Sequence, residues 1–245
     1  MRQWCSFGAS EIGPIHISTG MPNQDSWASF HHSGYDLLVV SDGLGSKEFS
    51  SIGSACACRA VDYSVCACLQ EGCFDIENPD LRESFFDRVR DTWLSLIAPL
   101  TPENASATCL FFLRYGDGKV WLGMLGDGCA ATVLANGDTV VLAEGKEESF
   151  SNITESLRRE TRASDWKLRG FSEESCVAAL LCTDGVADDL VDVKAFVRAF
   201  IDSCGDLSTV VAASNTADML IDWPTPKHSD DKTLACMMKR EYCDE

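Results

Sequence analysis

Positive charge is what this sequence has little of: 20 lysines and arginines stand against 38 aspartates and glutamates, a formal net charge of −18 at pH 7. Most of such a surface repels a phosphate backbone, which argues against a nucleic-acid partner. Imidazole is scarcer still, with 4 histidines in 245 residues. They form no constellation with the cysteines of the kind that holds zinc or copper. The stretch from Met1 to Ser10 lacks the basic start and continuous apolar run of a signal peptide. No later stretch reads as the roughly 20 apolar residues needed to cross a bilayer. The expectation is a soluble protein without membrane association.

Cysteine, in contrast, is plentiful. The 13 cysteines are odd in number and unevenly spread, a distribution unlike a secreted disulfide framework, so the expected setting is the reducing cytoplasm. Cys56, Cys58, Cys66, Cys68 and Cys73 lie where a helix is expected. Residues two apart on a helix point to nearly opposite sides, so the C-x-C pairs read as small buried hydrophobes rather than zinc ligands. With 45% hydrophobic residues the chain can bury one substantial core, and no linker, repeat or low-complexity tract divides it. The expected organisation is a single domain over residues 1–245.

A short apolar run, Tyr35 to Ser41, reads as a buried strand that breaks at Asp42-Gly43. Helices are expected from Ser50 to Leu69 and around Phe85, Val89, Trp93 and Leu96, which recur at helical spacing. Between Ala107 and Ala143, short apolar runs are punctuated by Gly116-Asp117-Gly118, Asp127-Gly128 and Asn136-Gly137, the pattern of an antiparallel meander. Residues 144–174 are polar and read as a surface flap, with Arg158, Arg159, Arg162, Lys167 and Arg169 as the surface charges of a helix. A strand at Val177 to Cys182, helices at Val193 to Ile201 and Leu207 to Leu220, and a strand at Thr233 to Met238 complete the order. Runs of strands and paired helices, without β-α-β alternation, predict an α+β fold of antiparallel sheets packed together with helices outside.

Three apolar runs end alike: LVVSDG at Asp42, LGMLGDG at Asp127 and LLCTDG at Asp184. Asp-Gly is a common turn pair, and Asp127, with short strands on both sides, fits a two-residue hairpin. Asp42 and Asp184 each lie between a buried strand and a helix, where side chains can converge on one cleft. Asp25 and Asp230-Asp231 add further carboxylates. Such hard oxygen donors select Mg²⁺ or Mn²⁺. Two such ions could hold a phosphoryl oxygen and an attacking water, the chemistry of phosphate-ester hydrolysis.

In order and spacing, Asn23-Gln24-Asp25, Ser41-Asp42-Gly43, Gly126-Asp127-Gly128, Thr183-Asp184-Gly185 with Asp188, and Asp230-x-x-Thr233 resemble the metal-dependent protein phosphatase 2C family. The details are similar to a divergent bacterial subgroup. The resemblance implies an α-β-β-α arrangement, a β-sandwich flanked by helix pairs. It also implies hydrolysis of phosphoserine and phosphothreonine on proteins with two, in some relatives three, Mn²⁺ or Mg²⁺ ions, and phosphoprotein substrates made by a cognate serine/threonine kinase. The family's bridging ligand falls on Asp42, the adjacent carbonyl ligand on Gly43, and the remaining ligands of the first metal on Asp184 and Asp230. Asp42, Asp184 and Asp230 would thus carry catalysis. Asp127 and Asp188 match a third, weaker site, and Asp25 is the surviving acid of the second. Four positions depart from the pattern. Gln24 stands for a glutamate, Leu44 for the histidine assigned as general acid, and Asp231 for an asparagine. The phosphate-gripping arginine is absent, since Gly20, Met21 and Pro22 precede the first motif. His16 is either a polar turn residue or a replacement phosphate contact. With those groups lost, a pseudophosphatase acting as a binding module, or a phosphatase of small molecules, stays open beside the protein phosphatase.

Overall fold

The computed structural model describes residues 2–45, 47–116, 118–143, 155–224 and 229–241. Ten strands form two antiparallel five-stranded sheets. The first contains, in order, β1 (Arg2–Glu11), β10 (Lys232–Glu241), β9 (Cys176–Cys182), β6 (Cys129–Leu134) and β7 (Thr139–Ala143). The second contains β2 (Ser26–His32), β3 (Tyr35–Ser41), β4 (Cys109–Tyr115), β5 (Lys119–Leu125) and β8 (Lys167–Ser172). Helices α2 (Ser50–Gln70) and α3 (Pro79–Ile97) cover the second sheet, and α5 (Val193–Cys204) and α6 (Thr209–Ile221) cover the first.

Three apolar cores follow from this layering, and strand periodicity assigns residues to them. In β3, Leu37 and Val39 face the α2–α3 layer while Leu38 and Val40 face the other sheet. In β9, Ala178, Leu180 and Cys182 meet α5 and α6, and Ala179 and Leu181 enter the space between sheets. With both faces buried, these strands lose the apolar-polar alternation of a half-exposed sheet and appear as unbroken apolar runs. Trp93 of α3 is fully buried, its indole N–H donating to the Gly53 carbonyl at 3.0 Å. A Cβ on Gly53 would lie 1.7 Å from the Ala105 carbonyl oxygen, so only glycine lets α2 cross the 105 segment this closely.

The α+β class, the layers and most elements agree with the sequence reading, and the differences have physical reasons. β1 was not expected, since only Trp4, Phe7 and Ala9 of its ten residues are buried apolar ones. β2 is only half-buried, with Trp27, Ala28 and Phe30 interspersed among serines and ending in two exposed histidines, and it carries the same weak signal. The expected meander is instead two hairpins, β4–β5 and β6–β7, lying in different sheets. Part of the expected flap, residues 144–154, lies outside the described residues. Beyond it, Lys167–Ser172 is not a surface helix but strand β8, paired with β5, and Leu157 and Trp166 are buried against the α2–α3 core. α2 is long and apolar enough to pass a length-and-composition test for crossing a membrane, which the sequence reading did not anticipate. It packs against α3 and the second sheet, with 56% of its apolar window buried, as the core helix of a globular protein does.

Candidate metal centre

The acidic residues of interest all sit at one end of the sandwich. Register pairs Ser26 with Ser41 and Cys109 with Leu125 in one sheet, and Cys182 with both Cys129 and Leu234 in the other. The residues just past those strand ends, Asp25, Asp42, Asp127, Asp184 and Asp230, therefore emerge together. Carboxylate oxygens of Asp42, Asp127 and Asp184 lie within 4.8 Å of one another.

Backbone contacts fix each segment. The Asp42 N–H donates to Thr108 Oγ1 at 2.9 Å, the Thr108 N–H returns a bond to the Asp42 carbonyl at 2.8 Å, and Ser41 Oγ donates to the Thr108 carbonyl at 2.6 Å. The Gly43 N–H donates to the Gln24 carbonyl at 3.1 Å, and a Cβ on Gly43 would lie 2.6 Å from the Ser50 carbonyl oxygen. Thr183 ties three segments together. Its hydroxyl donates to Asp25 Oδ2 at 2.9 Å and accepts from the Thr233 N–H at 3.1 Å.

Asp127 is where the structure corrects the hairpin expectation. β5 and β6 belong to opposite sheets, so Gly126-Asp127-Gly128 is the passage between them. Gly126 (φ +99°) and Gly128 (φ +92°) take the left-handed conformation that glycine adopts freely. A Cβ on Gly128 would meet the Cys182 carbonyl oxygen at 2.6 Å, so this crossing runs directly against the segment that bears Asp184.

Crowding sets the electrostatics. Burial, followed by the charges of Asp127, Asp25, Asp230 and Asp188, pushes the Asp184 carboxyl up to about 7. Burial raises Asp25 to about 6, hydrogen bonds with Asp42, Thr233 and Thr183 offsetting part of the rise. Asp42 is driven well above the usual carboxylate range, first by burial and then by Asp25, Asp184 and Asp127. Among the described residues no lysine or arginine pairs with Asp25, Asp42 or Asp184. Carboxylates that converge without a cation of their own repel one another, and a divalent ion with oxygen preference relieves that repulsion. The donor set fits Mg²⁺ or Mn²⁺.

Asp230 lies at the rim, its side chain 48% exposed, and its Oδ1 accepts from the Asp231 N–H at 2.9 Å. Asp188 is exposed, one turn beyond Asp184 in α4 (Asp184–Ala187). His16 is not at the surface. It is buried in α1 (Pro14–Thr19), with Nδ1 2.9 Å from Asp231 Oδ2 and 3.9 Å from Asp230 Oδ1. The sequence reading missed the roles of Thr108, Thr183 and Asp231, because a threonine beside a strand and the second of two aspartates carry no distinguishing signal. For the cysteines, no group among the described residues gathers as metal ligands. Burial pushes Cys58 up to about 12 and Cys68 up to about 11, disfavouring the thiolate a metal needs.

A sequence model of the family described as "Protein phosphatase 2C" matches residues 12–221, most of the chain and every motif but the last. The chain belongs to the protein phosphatase 2C family. Membership makes it a metal-dependent protein serine/threonine phosphatase. Solved structures agree in fold. The serine/threonine phosphatase Stp1 from Staphylococcus aureus is 16% identical with a TM-score of 0.66, covering 98% of this chain and 96% of its own. RsbX in complex with magnesium is 15% identical with a TM-score of 0.62, covering 98% of this phosphatase and all of that chain. The photosystem II phosphatase PBCP is 15% identical with a TM-score of 0.63, covering 96% and 98%. No curated protein sequence matches the phosphatase.

Proposed function

We propose that this phosphatase holds two Mn²⁺ or Mg²⁺ ions with Asp42 as the shared ligand beside the Gly43 carbonyl, Asp184 and Asp230 completing one set and Asp25 serving the other. Asp127 and Asp188 hold a third ion more weakly. The observation that supports this most is the convergence of Asp42, Asp127 and Asp184 within 4.8 Å, from three strand ends far apart in sequence. Bound divalent ions supply a water of lowered pKa and neutralise the charge of the phosphoryl group. The protein's own part is positioning. Thr183 orients the Asp25 carboxylate through its hydroxyl, and Thr108 fixes the backbone that aims Asp42. Leu44, next to Gly43, cannot give a proton to the departing seryl or threonyl oxygen, so that oxygen leaves without a side-chain acid at this position.

Phosphorylated proteins are the substrates, which assigns their supply to a serine/threonine kinase, and twelve described cysteines that are all free suit a reducing cytoplasm. His16 is no part of the substrate site in this reading, because its ring is buried and engaged with Asp231. The decisive assay is phosphate release from p-nitrophenyl phosphate and a phosphothreonine peptide with Mn²⁺, Mg²⁺ or a chelator. Metal-dependent turnover of both is expected. Turnover of neither under any condition would make the protein a pseudophosphatase, and turnover of the aryl ester alone would point to small-molecule substrates.

A further inference from the structure

We propose that His16 and Asp231 form a buried positioning pair that locks the two segments bearing Asp25 and Asp230 into one geometry, so that metal affinity depends on a hydrogen bond made behind the ligands. The proposal rests on the metal-centre reading above. Asp231 is 2% exposed, and three N–H groups converge on its carboxylate. Oδ1 accepts from the Gly13 N–H at 2.7 Å, and Oδ2 accepts from the Gln24 N–H at 2.6 Å and from His16 Nδ1 at 2.9 Å.

Each donor belongs to a segment that matters to the site. Gln24 immediately precedes Asp25. Gly13 starts α1 so close to the other acidic segment that a Cβ on it would lie 2.3 Å from the Asp230 carbonyl carbon. A second backbone bond, Ile15 N–H to the Ser229 carbonyl at 3.2 Å, fastens the same approach. Asp231 is thus the joint between chain positions more than 200 residues apart, and the residue before it is the ligand Asp230.

The chemistry explains why an aspartate stands here where the resemblance would place asparagine. An amide has one acceptor oxygen, whereas three donors arrive at two oxygens. Asparagine would set its NH₂ against at least one buried N–H, leaving that donor unsatisfied. His16 complements the carboxylate: its Nδ1–H supplies the third donor, and its burial in α1 keeps water from competing for the bond. Histidine and aspartate therefore belong together at these positions, and neither touches substrate.

Three variants test the pair by calorimetric Mn²⁺ titration and by the Mn²⁺ concentration that half-activates aryl phosphate hydrolysis. His16→Ala keeps every negative charge, so electrostatics alone would leave Mn²⁺ affinity unchanged or tighter. Loss of positioning instead weakens it, by the ~10–100-fold typical of groups behind metal ligands. Asp231→Asn is expected to weaken binding at least as much. His16→Asn, whose Nδ2 can reach the place of the ring Nδ1, should stay within about threefold of wild type in affinity, since it restores the donor. In His16→Ala, turnover at saturating Mn²⁺ should recover while half-activation stays shifted. Wild-type Mn²⁺ affinity in His16→Ala overturns the proposal, as do variants that melt lower yet bind Mn²⁺ normally or that fail to fold, because either result assigns the pair to stability alone. Asp42→Asn serves as the control. If it too binds Mn²⁺ as wild type does, the metal-centre reading fails. If it loses binding while His16→Ala does not, only the positioning role fails.

Discussion

Asp42→Asn should make the metal-free protein more stable while abolishing most of its metal binding. The structure sets the scale. Holding Asp184 at about 7 and Asp25 at about 6 rather than 3.8 costs roughly 3–4 kcal/mol each near neutral pH, at ~1.4 kcal/mol per pKa unit. Asp42 shares the same field, and its carboxyl also lies well above the usual range, from burial first and then from Asp25, Asp184 and Asp127. The costs do not add, and replacing Asp42, whose own carboxyl is raised by burial and then by its acidic neighbours, should return an amount of the order of one of them, about 2–3 kcal/mol, at pH 7.5 in a chelator. For a chain of this size that is a rise in melting temperature of roughly 5–10 °C.

The sign follows from linkage. Folded pKa values raised above 3.8 mean that the folded state keeps protons the unfolded chain has lost, so this contribution to stability is full below about pH 4 and disappears as pH rises through about 6 to 7. The advantage of the variant over wild type should therefore be large at pH 7.5 and small at pH 4.5. Mn²⁺ at about 1,000 times its Kd should reverse the order, since it stabilises the wild type by ~4.1 kcal/mol and the variant loses most of that gain. Thermal melts of both proteins, in chelator and in Mn²⁺, across this pH range make the test. A variant that melts below wild type in chelator at every pH, or that gains as much from Mn²⁺, would refute the account of the cluster.

Asp127→Asn should keep the tight Mn²⁺ sites in a calorimetric titration and lower turnover only partly if, as proposed, Asp127 serves the weaker site; loss of tight binding would reverse the ranking of the aspartates. Gly185→Ala should destabilise the fold by about 1–3 kcal/mol or more, since its Cβ would sit 2.0 Å from the Asp231 carbonyl oxygen, backbone that cannot swing aside; a wild-type melting curve would contradict the close approach. Leu44→His should raise phosphopeptide turnover more than aryl phosphate turnover, as the contribution of a general acid, typically 10²–10⁴-fold, grows with the basicity of the leaving group; equal change for both substrates would mean the added ring donates no proton. In wild type the same reasoning predicts a pH–rate profile without a high-pH fall from an acid at this position.

The sequence was most legible where burial is two-sided. β3, β4 and β9 are unbroken apolar runs because both faces are covered, and α2, α3, α5 and α6 show either the periodicity or the composition of packed helices. β1 and β2 were hidden because they are the edge strands of their sheets, where half-exposed polar residues dilute the pattern. Asp127 was misread for a reason of topology. A Gly-Asp-Gly between two short strands looks the same whether the strands pair with each other or pass into opposite sheets, and only the long-range pairing of β6 with β9 decides it. The three strand-end aspartates were found by the shared form of their motifs. Asp231 was not, since its three donors come from Gly13, His16 and Gln24, more than 200 residues away.

Two kinds of carboxylate lie side by side at this end of the sandwich, and burial alone does not separate them. Asp231 is 2% exposed and Asp25 is 8% exposed. What differs is the company. Asp231 is met by N–H donors on both oxygens, so the folded chain itself supplies three of the hydrogen bonds its carboxylate can accept. Asp25 is met by the Thr183 and Thr233 side chains but also faces Asp42 and Asp231, while Asp42 faces Asp25, Asp184 and Asp127. A folded chain tolerates such mutual repulsion only where a ligand relieves it or protons stay bound. Acidic company around a buried carboxylate is therefore a more specific mark of the metal centre than burial alone. In the proposed reading the second aspartate of Asp230-Asp231, met by three N–H donors, belongs to the scaffold, and the first, with its half-exposed side chain at the rim, to the site.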